Sequence, residues 1–214
     1  MDRVERVSCD LFDETGLSKI LEKYRPTCCV HLAWYAEPGR YLHSPSNAEH
    51  LAASVRLISS LARFGTERIV AIGTCNEYLP SKEIMSESDP VQPQTVYSAS
   101  KHAMALSLRR LSEETGVSTA WLRLFYLYGP NEDPRRLVPS VITELLSGRH
   151  ALVTSGEQIR DYLHVDDVAR GIFAVSQSTV EGLSLIHISA PTSPRLSSYA
   201  VFCLQKERGG GGGG

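Results

Sequence analysis

Two short apolar runs bracket a long helical pattern, and that arrangement limits the fold more than any other feature. Cys28-Cys29-Val30-His31-Leu32-Ala33 and Arg68-Ile69-Val70-Ala71-Ile72-Gly73 lack strict polar alternation. Each is therefore expected to be a strand buried on both faces, as in a parallel sheet. Between them, Asn47 to Phe64 carries Leu51, Val55, Ile58 and Leu61 at helical spacing and closes at Gly65. Strand, crossover helix and parallel strand make a βαβ unit. The alternation continues along the chain. Thr95 to Thr115 runs without Gly or Pro and predicts a helix; Val117 to Phe125 predicts a strand, broken at Tyr128-Gly129-Pro130. Val138 to Leu146 is helical, and Tyr162-Leu163-His164-Val165 leads into a helix from Asp166. Ahead of the first run, Val4–Cys9 alternates as a short strand, and Leu17, Ile20, Leu21 and Tyr24 mark a helix that stops before Pro26. The fold class is α/β, with a doubly wound parallel sheet.

In such sheets ligands bind beyond the carboxyl ends of the strands. Asp10, Ala33-Trp34, Thr74 and Phe125 all fall at such ends. Tyr97 and Lys101 stand four apart at the start of a helix, so phenol and ammonium share one face. A neighbouring cation favours the phenolate and is expected to lower the tyrosine pKa, which makes a general base or acid. Each residue also has a plain structural reading. Thr74 suits any strand, Asp10, Asn47 and Asp166 suit helix caps, Trp34 and Phe125 suit a core, and Arg160 suits a surface ion pair.

Composition removes several other functions. A net charge of −2 supplies no basic field for nucleic acid and no polybasic membrane anchor. No apolar run reaches the roughly 20 residues of a membrane-spanning helix, and Met1-Asp2-Arg3-Val4-Glu5 is too polar for a signal peptide. The five cysteines have neither metal-ligand spacing nor the pattern of a disulfide framework. A cytoplasmic location is the expectation.

Several further motifs occur in a consistent order. They are Asp10-Leu11, Val30-His31-Leu32-Ala33-Trp34, Gly73-Thr74-Cys75-Asn76-Glu77-Tyr78, Tyr97-x-x-x-Lys101, Leu122 through Tyr128-Gly129-Pro130, and Arg160-Asp161-Tyr162-Leu163-His164-Val165-Asp166-Asp167. From about Arg6 to Val180 the chain resembles the extended short-chain dehydrogenase/reductases, and within them the NAD-dependent sugar-nucleotide epimerase/dehydratase group. The resemblance implies catalytic roles for Thr74, Tyr97 and Lys101. It implies cofactor contacts from Asp10, Leu11, Leu32, Ala33, Trp34, Asn47, Tyr97, Lys101 and Phe125, and substrate contacts from Tyr126 and Arg160, the arginine holding a diphosphate. The implied cofactor is NAD or NADP, with NAD favoured. The implied substrate is a nucleotide-diphosphate sugar, and the implied assembly is a homodimer built on the helices Asn47–Phe64 and Thr95–Thr115. No nucleic acid, membrane or metal partner is implied. An epimerase is the leading reading; a keto-sugar reductase, a dehydratase and a non-catalytic dinucleotide sensor are the alternatives.

Three departures from the family pattern are visible. The chain contains no Gly-x-x-Gly-x-x-Gly turn for a cofactor pyrophosphate, so the sheet is expected to lack its first βαβ, leaving Val4–Cys9 without a neighbour and Val30–Ala33 as an exposed edge. Such a chain is expected to bind cofactor poorly and to aggregate. Cys75-Asn76 stands where dehydratases carry Asp-Glu, which favours epimerisation or keto reduction. From about 183 the sequence resembles translated sequencing-adapter DNA and ends in six glycines, Gly209 to Gly214. The expected organisation is therefore a partial NAD(P)-binding domain over 1–130, the start of a substrate-binding region over 131–182, and a non-native, disordered tail over 183–214.

Overall fold

A computed structural model of the chain describes residues 4–79, 85–153 and 160–186. Among these residues the elements run α1 (Glu14–Tyr24), β1 (Cys28–His31), α2 (Ser46–Arg63), β2 (Arg68–Thr74), α3 (Val96–Thr115), β3 (Ser118–Leu124), β4 (Tyr126–Tyr128), α4 (Leu137–Leu146), β5 (Tyr162–His164), α5 (Val165–Ser176) and β6 (Gly182–Ile186). The main sheet has the order β1-β2-β3-β6, every pair parallel, and β4 and β5 form a separate parallel pair.

Alternation along β2 divides the core in two. Ile69 and Ala71 join Ile58, Leu61, Met104, Leu108 and Trp121 on the side of α2 and α3. Val70 packs with Ala120 and Leu122 against Ile172 and Val175 of α5 on the other. Successive strand side chains point to opposite faces, so a strand covered on both sides must be apolar throughout. Ile69, Val70 and Ala71 are all fully buried, and an aliphatic side chain taken wholly out of water contributes about 1.5–3 kcal/mol. A buried arginine fastens the second layer. Arg68 donates to Ser118 Oγ at 2.6 Å and to the carbonyls of Val175 and Val180 at 2.8 and 2.7 Å, which ties the end of α5 to β2.

Helix ends follow local chemistry. Asp13 caps α1 by accepting from the Gly16 amide at 2.9 Å. Thr95 and Ser98 form a reciprocal capping box at the start of α3, and Gly116 ends that helix in the left-handed conformation at φ 75°.

Two expectations about the sheet are corrected. Residues 4–10 are exposed and form no strand. Among the described residues β1 pairs only with β2, so no second backbone offers the segment a ladder. β1 is accordingly an edge, with Val30 38% exposed. An irregular tail was expected from 183, whereas Gly182 to Ile186 form a strand parallel to β3 from Ala120 to Leu124. The free side of β3 supplies the hydrogen-bonding partners. The remainder of that expected tail, 187–214, lies outside the described residues.

Candidate active site

Parallel pairing places the carboxyl ends of β1, β2 and β3 on one edge of the sheet. His31 is level with Ala71, and Thr74 is level with Leu124, so Trp34, Thr74 and Phe125 emerge together. β2 ends in a 3₁₀ turn, Cys75–Glu77, closed by a capping box. The Asn76 amide donates to Thr74 Oγ1 at 3.2 Å, and the Thr74 amide donates to Glu77 Oε1 at 2.9 Å.

Glu77 is fully buried directly beneath Thr74. Trp121 Nε1 donates to both its oxygens, at 3.2 and 3.3 Å, and Arg123 Nε donates to Oε2 at 2.9 Å. The guanidinium of Arg123 also lies 4.3 Å from the Tyr78 ring centre. A Cβ on Gly73 would come within 2.4 Å of Trp121 Nε1 and 2.5 Å of Glu77 Oε1, so only glycine lets the strand approach this network. Sequence reasoning gave Glu77 no role of its own within the Gly73–Tyr78 motif. Its signal was a charged residue just past a strand with an apolar centre, matched by Arg123 on the neighbouring strand.

Tyr97 and Lys101 leave the first turns of α3 toward Thr74. Burial pushes the Tyr97 phenol well above its ordinary range and the Tyr41 phenol adds to the rise, while the nearby Thr74 side chain pulls the other way. The expected lowering by a neighbouring cation is reversed. Lys101 turns its ammonium elsewhere: Nζ donates to the Ile72 carbonyl at 2.8 Å and sits 4.0 Å from the centre of the Trp34 ring. Lys101 is 6% exposed, and burial draws its pKa down to about 7, with Glu77 pulling upward. His31, the last residue of β1, is held by Ser54 Oγ at 2.8 Å and is drawn down to about 4 by burial, then by the charges of Lys101 and His50. The edge therefore disfavours added positive charge.

The loop after β1 completes one wall. Trp34 Nε1 donates to Asn47 Oδ1 at 2.9 Å, and Asn47 Nδ2 donates to the carbonyls of Tyr41 and Ser44 at 2.6 and 2.8 Å. Asn47 is 0% exposed. Both its polar side-chain atoms are engaged in shaping the loop. Leu32 and Ala33 are exposed just past the strand. The Asp10 carboxylate accepts from the Phe12 amide at 2.9 Å, which sets a turn that includes Leu11. The Phe12 ring meets His50 edge-on at 5.0 Å, and His50 lies 6.0 Å from Trp34. Those contacts bring the Asp10-Leu11 segment to the same edge.

The opposite wall comes from the segment after β3. Phe125 is half-buried between β3 and β4. Arg160 donates to the Tyr126 hydroxyl and stacks 4.5 Å from its ring centre. Burial raises the pKa of Tyr126, with smaller upward contributions from Cys75 and Tyr41. Burial likewise pushes the Cys75 thiol up to about 11, with Thr74 and Arg160 opposing. A pocket of about 420 Å³ opens beside this group, lined by Tyr41, Tyr126, Tyr162, Glu132, Arg135 and Arg136 among others. Sequence reasoning missed Tyr41, whose ring stands edge-on to Tyr97 at 4.8 Å. Only its position ahead of a helix-opening Asn could have pointed to it. Asp166, read as a helix cap, lies instead in the first turn of α5, where its amide donates to the capping His164 ring at 3.2 Å.

Known proteins are similar to this chain in sequence and in fold. A dTDP-glucose 4,6-dehydratase from Streptomyces griseus is 36% identical over 151 residues, which cover 68% of this chain and 46% of that protein. The solved UDP-glucose 4-epimerase of Thermus thermophilus, in complex with NAD, superposes with a TM-score of 0.68 at 26% identity, covering 84% of this chain and 62% of that one. A dTDP-glucose 4,6-dehydratase from Streptomyces venezuelae, with NAD bound, gives 0.73 at 26% identity over 86% of this chain and 58% of that one. The chain thus spans about half the length of the curated relatives it matches. A family model described as the NAD dependent epimerase/dehydratase family matches residues 1–188. With the strand-end Thr74, the Tyr97/Lys101 helix and the parallel sheet in place, the chain belongs to the NAD dependent epimerase/dehydratase family.

Proposed function

We propose that this chain carries the proton-transfer half of a sugar-nucleotide epimerase-type oxidoreductase that uses NAD. The observation that supports it most is the proximity of Thr74, at the end of β2, to the Tyr97 phenol, with buried Lys101 one helical turn further along α3. NAD, when bound, supplies the hydride acceptor and donor. Tyr97 takes the proton from a sugar hydroxyl as that carbon is oxidised, and Thr74 holds the same oxygen. Lys101, drawn down to about 7, can exchange its bonds to the Ile72 carbonyl and the Trp34 face for ribose hydroxyls and the phenolate. Leu32 and Ala33, exposed just past β1, fit a flat nucleoside surface. Arg160, stacked on Tyr126 of the pocket wall, suits a diphosphate.

The relatives named dehydratases make 4,6-dehydration the alternative within the family. Against it, the two positions after Thr74 hold a neutral thiol and an amide, and the nearby acid, Glu77, is fully buried and spent on Trp121 and Arg123. Epimerisation or keto reduction fits that wall better. The proposed homodimer would use the adjacent outer faces of α2 and α3.

The test is turnover of a panel of UDP-, dTDP-, GDP- and CDP-sugars by the protein containing this chain. Interconversion of epimers is the expected result, with Tyr97→Phe lowering kcat by about 10²–10⁴ and Thr74→Val by less. Absence of turnover with every sugar would favour a dinucleotide-sensing role instead.

A further inference from the structure

We infer that Trp34, Asn47 and Tyr41 act as one brace that positions both members of the Tyr97/Lys101 pair from outside their helix. This rests on reading that pair as the proton-transfer centre, and none of the three brace residues takes part in the chemistry.

Lys101 and Tyr97 sit on one helix, yet each is held by the loop between β1 and α2. The ammonium of Lys101 lies 4.0 Å from the centre of the Trp34 ring. The same indole donates its N–H to Asn47 Oδ1 at 2.9 Å. Asn47 is wholly buried, and its Nδ2 donates to the Tyr41 carbonyl at 2.6 Å. The Tyr41 ring then stands perpendicular to Tyr97 at 4.8 Å. The path therefore starts at one member of the pair and ends at the other, through three side chains and one backbone carbonyl. Each joint is directional: cation over ring face, indole N–H to amide oxygen, amide N–H to carbonyl, ring edge to ring face. A buried amide with both ends used has no alternative orientation that keeps its bonds, because reversing it sets N–H against N–H and oxygen against oxygen.

The consequence concerns specificity as well as position. Tyr41 lines the 420 Å³ pocket next to Tyr126. A substrate that presses on Tyr41 pushes on the element that holds Tyr97 and, through Asn47, on the ring that holds Lys101. The brace therefore links occupancy of the pocket to the geometry of the pair.

The test follows both ends by NMR in the full 214-residue chain, without added ligand. The side-chain protons of Lys101 should be displaced upfield by the Trp34 ring relative to exposed Lys19, and the Tyr41 and Tyr97 rings should share cross-relaxation peaks. Asn47→Ala touches neither Lys101 nor Tyr97, and is expected to lose both signals together. Trp34→Phe keeps a ring face but no N–H donor; it should retain the Lys101 displacement while weakening the Tyr41–Tyr97 peaks. Tyr41→Phe keeps the edge contact and its carbonyl, and should preserve both signals. A folded Asn47→Ala chain with either signal intact would overturn the brace. If Asn47→Ala does not fold, unchanged ring peaks in Trp34→Phe do so alone. Because these readouts involve no turnover, failure of the brace is distinguishable from failure of the enzymatic reading.

Discussion

The two sides of Thr74 are built on opposite principles. Beneath it, Glu77, Trp121 and Arg123 form a buried polar cluster in which the carboxylate accepts from an indole, a guanidinium and a backbone amide. Above it, Tyr41 and Tyr126 line a pocket, with the Tyr97 ring edge-on to Tyr41 and Arg160 stacked on Tyr126. The lower side has a single arrangement that satisfies the carboxylate. The upper side can trade its contacts for those of a ligand. A strand end held from below and accessible from above lets a hydroxyl stay in place while its partners change.

Breaking the lower side should have the largest effect. Glu77→Ala leaves Arg123, 3% exposed, as a buried charge without its carboxylate. The expected loss of stability is about 3–5 kcal/mol, measured as a lower urea midpoint. A near-unchanged midpoint would show that the cluster does not hold the strand end.

Acid should act next, through His31. Its folded pKa of about 4 lies below the ordinary 6.5, so the unfolded chain binds the extra proton first. Stability should be complete above 6.5 and fall as pH drops toward 4, by roughly 3 kcal/mol in all. Replacing His31 with Gln, which keeps a polar partner for Ser54, should flatten that part of the profile.

Lys101 sharpens the contrast from the upper side. Its folded pKa of about 7 lies below the ordinary 10.5, so burial of the ammonium opposes folding most strongly below pH 7. Lys101→Met should therefore raise the thermal midpoint at about pH 6, and the gain should shrink as pH rises toward 10.5. A variant that is less stable at every pH would mean that the Ile72 and Trp34 contacts outweigh the burial. The smallest effect should come from the start of α3. Thr95→Ala removes the cap of the helix that carries the pair, at a cost of about 1 kcal/mol, read from the same urea curves.

The sheet and its helices were legible because burial on both faces leaves a direct mark on composition. Arg68–Thr74 and Ser118–Leu124 are strands within a residue or two of the expected runs, and α2 and α3 begin and end within a residue of theirs. Val4–Cys9 was misread for an equally physical reason. Alternation describes which face a strand would bury, whereas a strand exists only where another backbone pairs with it. Leu183–Ile186 failed in the opposite direction, since the free side of β3 gave an ordinary segment a partner.

At the site, the residue types were readable and the contacts were not. Thr74, Tyr97, Lys101, Trp34, Tyr126 and Arg160 do gather at one edge of the sheet, as their places after strands and at a helix start require. The enclosure of Asn47 by the loop before α2 was not readable, and Tyr41 was passed over although its ring stands against Tyr97. Local periodicity and strand-end position are properties of neighbouring residues, so the sequence by itself determined the alternating architecture and the carboxyl edge where chemistry can occur. Which partner each polar group takes depends on residues tens of positions apart. The tertiary structure alone decided that Lys101 faces the Ile72 carbonyl and an indole ring, that burial raises the Tyr97 phenol, and that Glu77 supports the strand from within.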